Sequence, residues 1–483
     1  MTTPSVRITK VDGSMGVLPA SAGRLPAFVG PTEDGPVNTP ATFGRVSDLV
    51  GTFLGGPTVE AAAHYIDRFA RPVVISRTAA SNDGTVSAVT SESTGTSAVT
   101  ADEESAPIDD HELVVWFTKG GTVGQAGIIY RVSSDGGRNF DPATPLGTAQ
   151  EITVGGVTFN LGAGTVVAGD RHAVTTTAPN WTGPELSAAL EALGQSKLPW
   201  ELLNVVGPMD PAALDIVNLK IEALEQRGKP RAWVGHVRMS TPGETSEAYR
   251  TALEAAWASK AVISGSLCAG AGKLISGVSG RQYRRPLSFA YGALTASVSE
   301  EVNVADVNIG QLTGFSIADV NGSPDEHDEE LFPGLDDLRF VTARTWGDSY
   351  EGVYITRPRI FAPAGSDFQI MPRVRVMNLA RVALNIYFGR RLNVPLLVSE
   401  STGFLLETEA LEIEAGARAA MAAVLRAKPK ASSVDFKLSR TDNVLSTSTL
   451  TGGARIVGLA YPEVINLTLG YWNPALQIQK VAA

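Results

Sequence analysis

The feature that most constrains this chain is a change of rhythm that happens twice. Residues 26–30 (Pro26-Ala27-Phe28-Val29-Gly30) form a short apolar run ending in a Pro, Gly and Asp-rich loop, as a buried strand does. Thr58 then offers an N-cap for a helix with Val59, Ala62, Ala63, Ile66 and Phe69 on one face. Pro72 ends that helix, and residues 73–76 read as a second buried strand. Over residues 79–181 the helical period vanishes. Residues 79–107 are mostly Ser, Thr, Ala, Gly and acids, which predicts a flexible excursion, and strand signals follow at 113–117, 127–132 and 171–177. From Thr182 the 3.6-residue period returns. A chain that begins a strand–helix–strand pattern, leaves it and resumes it has a β-rich domain inserted into a mixed α/β body.

The resumed pattern is regular. Residues 184–193 predict a short helix, 202–206 a strand, and Asp210 caps a helix carrying Leu214, Val217, Ile221 and Leu224 and closed by Gly228. A strand at 232–237, a helix at 244–258 and a strand at 261–263 follow, the alternation of a parallel α/β layer sandwich. A loop-rich region then leads to a helix at 373–388. A second helix spans 406–427, with Leu406, Ala410, Ile413, Ala417, Met421 and Val424 along one face. Its glutamates (Glu407, Glu409, Glu412, Glu414) precede Arg418, Arg426 and Lys428, matching the helix dipole. Strands are predicted at 434–438, 456–460 and 464–471. No internal repeat with a period of about 20–50 residues is present. The fold class expected is an α+β and α/β multidomain chain with extended terminal arms.

Composition excludes several classes. With 43% hydrophobic and 19% charged residues in 483, the chain has enough apolar surface for a real core. Fifty acids against 40 bases give a net charge of −10, without the basic footprint of a protein that grips a nucleic-acid backbone. One cysteine, Cys268, forbids an internal disulfide and a cysteine-rich metal cluster. The first residues, MTTPSVRITKVDG, hold no apolar run of a secretory signal, and no apolar stretch of about 18 residues predicts a membrane span.

The candidate chemical motifs are incomplete. Gly270-Ala271-Gly272-Lys273 suggests a phosphate-binding loop, but Leu267 and Leu274 stand where that loop needs glycine and a hydroxyl, so a flexible glycine connection is expected. His64, His111, His172, His236 and His327 share no i, i+4 metal-binding spacing; His236, in an apolar strand, reads as a hydrogen-bonded core residue. Cys268 reads as a small core filler. The acidic run Asp325-Glu326-His327-Asp328-Glu329-Glu330 lacks calcium-loop spacing and predicts a solvated loop. Arg281, Arg284, Arg285, Arg390 and Arg391 are solvated or available to acids on a neighbouring copy. No catalytic, cofactor or metal site is assembled, so the chain is not expected to be an enzyme.

Residues 25–40, Leu25-Pro26-Ala27-Phe28-Val29-Gly30-Pro31-Thr32-Glu33-Asp34-Gly35-Pro36-Val37-Asn38-Thr39-Pro40, followed by Phe53-Leu54-Gly55-Gly56, resemble the opening of contractile tail sheath proteins of bacteriophages and related injection systems. The likeness extends to Ser366-Asp367-Phe368 before an Arg-rich helix containing Arg375-Val376-Met377-Asn378, to Thr402-Gly403, and to Tyr461-Pro462-Glu463-Val464-Ile465-Asn466-Leu467. Ser134-Asp135-Gly136-Gly137-Arg138-Asn139-Phe140 looks like a phage structural module.

The resemblance implies a discontinuous core domain, made of residues 23–78 and 345–471, with a β-rich insert at 79–181 and an α/β domain at 182–344. Residues 1–22 and 472–483 would be terminal arms. It implies copies assembled as hexameric rings in a helical sheath around a tail tube protein, with baseplate and terminator proteins at the ends and contraction driving the tube through a target envelope. Such a chain sits in a virion tail assembled in the host cytoplasm, with no cofactor, no direct nucleic-acid contact and no membrane insertion.

Alternating apolar residues at both ends agree, since an extended segment that cannot bury its own face can join a neighbour's sheet edge. The residues expected to carry that exchange are Val6, Ile8, Val11, Leu467, Leu469 and Tyr471. The alternatives are another tail component with the sheath fold, such as a baseplate or terminator protein, or a hydrolase-like enzyme on the α/β layer, where Asp210 and Cys268 are the nearest candidate groups.

Overall fold

The computed structural model describes residues 25–102, 104–241, 243–317, 327–426 and 428–470. It is organised by one six-stranded sheet. Across the sheet the order is Gly265–Cys268, Ala232–Val237, Leu202–Met209, Pro26–Gly30, Val73–Arg77 and Ala41–Phe43. All neighbours are parallel except Ala41–Phe43, which runs antiparallel at the edge. Pro26–Gly30 lies between Leu202–Met209 and Val73–Arg77, so strands from both sides of the insert share one sheet.

Successive strand side chains point to opposite faces. Phe28, Ile75 and Val234 therefore enter one core, beneath the helices Pro57–Phe69 and Leu287–Ser297. Ala27, Val29, Val74 and Trp233 enter the other, beneath Gly183–Gln195, Pro211–Gln226 and Ser246–Trp257. Helices on both faces explain why these strands read as continuous apolar runs. Asp210 caps its helix as expected, its carboxylate accepting the Ala213 N–H at 2.7 Å.

Several expectations change. Thr58 is not the N-cap of its helix; Gly56 holds that place, with Pro57 in the first turn. The strand expected at 261–263 forms instead at Gly265–Cys268. Gly265 pairs with Trp233, and a Cβ there would stand inside the indole ring, so the register requires glycine. The Gly270–Lys273 connection is largely a strand, Ala271–Ile275, antiparallel to Gln282–Pro286. The helix Leu287–Ser297 falls in a region read as loop, because it is buried on nearly every side and has no polar stripe to betray it.

The insert has its own core, including Leu113, Val115, Phe117, Val157 and Phe159. A five-stranded antiparallel sheet contains Arg171–Thr175, Glu112–Lys119 and Ile129–Ser133, and a three-stranded sheet packs with it. Residues 79–107, expected to be flexible, contain the strands Thr90–Glu92 and Val99–Ala101. The Asp170 carboxylate pins this stretch by accepting the Thr94, Gly95 and Val167 N–H groups. Asp135 similarly holds the 134–140 turn through Ser133 and Asn139. The two ends of the insert meet where Asn82 and Asn180 exchange backbone hydrogen bonds at 3.1 and 2.8 Å.

The C-terminal unit comprises the helices Met371–Gly389 and Glu407–Leu425 and the antiparallel hairpin Ala431–Leu438/Gly452–Gly458. Arg375, nearly fully buried, ties it to the central unit. Its guanidinium donates to the Thr295 and Val298 carbonyls at 2.8 and 3.2 Å, satisfying the end of the Leu287–Ser297 helix.

Candidate functional site

One face of the hairpin packs on the Glu407–Leu425 helix, where Ala410, Ile413, Ala417 and Met421 meet Phe436 and Leu438. Glu414 lies at the centre of that contact. Its carboxylate accepts the Leu438 N–H at 2.8 Å and the Arg440 guanidinium at 2.7 Å. That guanidinium, against the opposing effect of desolvation, holds the Glu414 carboxyl down at about 2. Arg440 also grips Glu407, so one cation fixes the outer end of the hairpin to the helix.

The inner end of the hairpin is fixed just before its first strand and just after its second. The buried Lys430 ammonium pairs with Glu300 and with Glu301, the latter at 3.3 Å. Although burial works to raise it, the Lys430 hydrogen bond keeps the Glu300 carboxyl below its ordinary value. Tyr461 donates to the Glu301 carbonyl at 2.6 Å, and Glu463 stands 3.5 Å from Arg357.

Beyond these anchors the chain changes character. Val464 and Ile465 are each 71% exposed, Leu467 88% and Leu469 100%. Residues 464–470 pair with no strand among the described residues, where a strand was expected at 464–471. The alternation at 465, 467 and 469 is present, but no sheet among the described residues receives it. The hairpin sheet that precedes it has two strands only among the described residues; on the outer edge of Ala431–Leu438 the Leu438 and Phe436 N–H groups are taken by the Glu414 and Asp435 carboxylates, whereas the outer edge of Gly452–Gly458 pairs with no described strand. Gly452–Gly458 is exposed along almost its whole length. An open edge offers unpaired N–H and C=O groups to another extended chain, and exposed apolar side chains give that chain a reason to dock. Of the expected exchange residues, Leu467 and Leu469 lie in this segment; Val6, Ile8, Val11 and Tyr471 lie outside the described residues.

The groups singled out for other chemistry serve the fold. The His236 ring nitrogen is 2.9 Å from the Ser288 hydroxyl, and burial pulls the imidazole down to about 3. Burial pushes the Cys268 thiol well up. In the acidic run, Asp325 and Glu326 lie outside the described residues. Against the expectation of a solvated loop, His327, Asp328 and Glu329 are buried, with Glu329 accepting the Gly334 and Asp336 N–H groups at 2.6 and 3.1 Å. A short loop that must turn inside the protein uses these carboxylates as backbone acceptors. Among the described residues no cluster of His, Cys, Asp or Glu has the arrangement of a metal site, and no helix is long and apolar enough to cross a membrane.

Arg285 was expected in solvent or on a neighbouring copy. It is instead buried against Asp109 of the insert at 2.7 Å, and Arg281 pairs with Asp141 of the insert. Sequence reading missed this seam, since Asp109-Asp110-His111 and Arg284-Arg285 are ordinary polar strings far apart in the chain.

The family description "DUF2586, N-terminal domain" matches residues 3–359. No curated protein matches the sequence significantly. Among solved structures, a chain of the PVC sheath complex of an extracellular contractile injection system, in the contracted state, aligns with a TM-score of 0.52 at 11% identity, covering 97% of this chain and 98% of that one. A chain of the anti-feeding prophage baseplate aligns with a TM-score of 0.50 at 11% identity, covering 98% and 100%. A sheath tail protein from Desulfitobacterium hafniense aligns at 0.47 and 11% identity, covering 94% and 100%. The first two alignments run through nearly the whole chain, so the fold, with its several sheets, is shared with subunits of contractile assemblies.

Proposed function

We propose that this chain, which belongs to the DUF2586 family, is a structural subunit of a contractile tail sheath. Copies stack as hexameric rings around a tail tube in the virion tail and contract to drive that tube through a target envelope. Residues 1–22 and 472–483 act as arms, and strand exchange through Val6, Ile8, Val11, Leu467, Leu469 and Tyr471 links each copy to its neighbours. The observation that carries this reading is the unburied apolar segment 464–469, which follows in the chain a two-stranded sheet whose Gly452–Gly458 edge pairs with no described strand. The likeness to a contracted sheath chain supports it. Head-to-tail strand addition does not close into a dimer, so it propagates as rings or helices. Each copy keeps its fold while its surface contacts change, which is the kind of switch contraction needs, and no nucleotide is consumed.

Negative-stain electron microscopy of the purified chain at high concentration tests this reading. Hollow striated tubes or six-fold rings are expected. Deleting residues 1–22 or 472–483 is expected to leave a folded subunit that does not polymerise, and normal tubes from both truncated proteins would refute exchange through the arms. The likeness to a baseplate chain favours a second reading, a baseplate component with the same fold. That reading predicts single rings that never stack.

A further inference from the structure

The terminal hairpin is followed by what looks like its own third strand, and that strand does not form. The Gly452–Gly458 strand is seven residues long, and so is the exposed segment 464–470 that comes after it. Five residues, 459–463, join the two, a length at which neighbouring strands of one chain ordinarily pair as a hairpin. Ile465, Leu467 and Leu469 alternate with Asn466 and Thr468, the pattern that suits a sheet with one covered face. Folding back onto the Gly452–Gly458 edge is therefore the simplest local outcome, yet the segment pairs with no strand among the described residues. The connection explains this, because it is held elsewhere. The Tyr461 hydroxyl donates to the Glu301 carbonyl at 2.6 Å. Glu463 meets Arg357 at 3.5 Å, and Arg357 is itself held by Asp336 at 3.2 Å. Pro462, between the two contacts, biases Tyr461 to extended backbone. The same corner holds the base of the hairpin, since Lys430 pairs with Glu300 and Glu301 and the next residue, Ala431, is the partner of Gly458. A five-residue connection pinned at its third and fifth positions is not free to make the tight reversal that a third strand needs.

We propose that Tyr461 and Glu463 form a clip that stops the chain from capping its own hairpin, keeping the Gly452–Gly458 edge and the segment 464–470 apart within one subunit so that both stay available to other copies. The inference builds on the exchange through Leu467 and Leu469 proposed above. Each contact of the clip is modest by itself: one hydroxyl–carbonyl hydrogen bond and one partly exposed ion pair. The gain from one more strand on a small sheet is modest too, so two side chains are enough to set the balance. The clip therefore makes an unusual demand, that removing two favourable contacts should leave the subunit more ordered rather than less.

Hydrogen–deuterium exchange of the full chain, at dilutions that keep subunits apart, tests this in the wild type, in Tyr461→Phe, in Glu463→Gln and in the double variant. Peptides covering 452–458 and 464–470 should exchange fast in the wild type. In the double variant their protection should rise by about tenfold, the scale of losing one ordinary hydrogen bond and one surface ion pair. Each single variant should show a smaller rise, the gain should be the same at every dilution, and peptides from the Ala232–Val237 strand should stay level. Unchanged or lower protection in the double variant would overturn the clip. So would wild-type peptides that are already protected, or a rise that grows with protein concentration, since that is pairing between copies. Because the measurement reads separate subunits, a wild type that never forms tubes would count against the sheath and leave the clip standing.

Discussion

The central sheet and the terminal hairpin are both β-structure, and they end in opposite conditions. The central sheet is covered by helices on both faces, and its Pro26–Gly30 strand is buried at every position. The hairpin is covered on one face, leaves its Gly452–Gly458 edge open among the described residues, and is followed by apolar side chains in solvent. Within one chain, then, one sheet is covered by its own helices on both faces and the other keeps an exposed strand edge among the described residues. A fold that buries Trp233 completely has no shortage of hydrophobic core, so the exposure of Leu467 and Leu469 is not a failure to fold.

Substitutions should separate the two regions. The largest loss is expected from Trp233→Ala, which empties a fully buried site. About 3–5 kcal/mol of stability should disappear in urea denaturation of the subunit. Arg285→Met leaves Asp109 as an uncompensated buried charge and should cost about 3 kcal/mol, while the double variant Arg285→Met/Asp109→Leu should recover much of it.

Acid should reach the hairpin in a different way. The Glu414 carboxyl is held at about 2, below its ordinary value, so its contribution is present above the ordinary carboxylate range and is lost as pH falls toward 2. Exchange protection of the 431–438 strand should fall over that interval, and Glu414→Gln should show a smaller change. The smallest effect on folding is expected from Leu467→Ser/Leu469→Ser, within about 0.5 kcal/mol, because both side chains stand in solvent.

The same contrast decides what the sequence reveals. The central strands at 26–30, 73–77, 202–209 and 232–237 were legible because burial on both faces writes continuous apolar runs. The amphipathic helices Pro211–Gln226 and Glu407–Leu425 were legible through their single apolar stripe. The helix Leu287–Ser297 was hidden by uniform burial, and Gly265–Cys268 by a glycine whose purpose is a tryptophan 32 positions earlier in the chain. Long-range charge pairs such as Arg285–Asp109 have no local signal at all. At the candidate site, the alternation through Leu467 and Leu469 was readable, but a strand was expected where none forms. Periodicity shows that a segment suits a sheet; it does not say whose sheet.

Electron microscopy of the wild type beside the Leu467→Ser/Leu469→Ser variant, with subunit stability measured in parallel, tests this division most directly. The account predicts tubes or rings from the wild type, none from the variant, and the same urea midpoint for both. Normal tubes from the variant would contradict it.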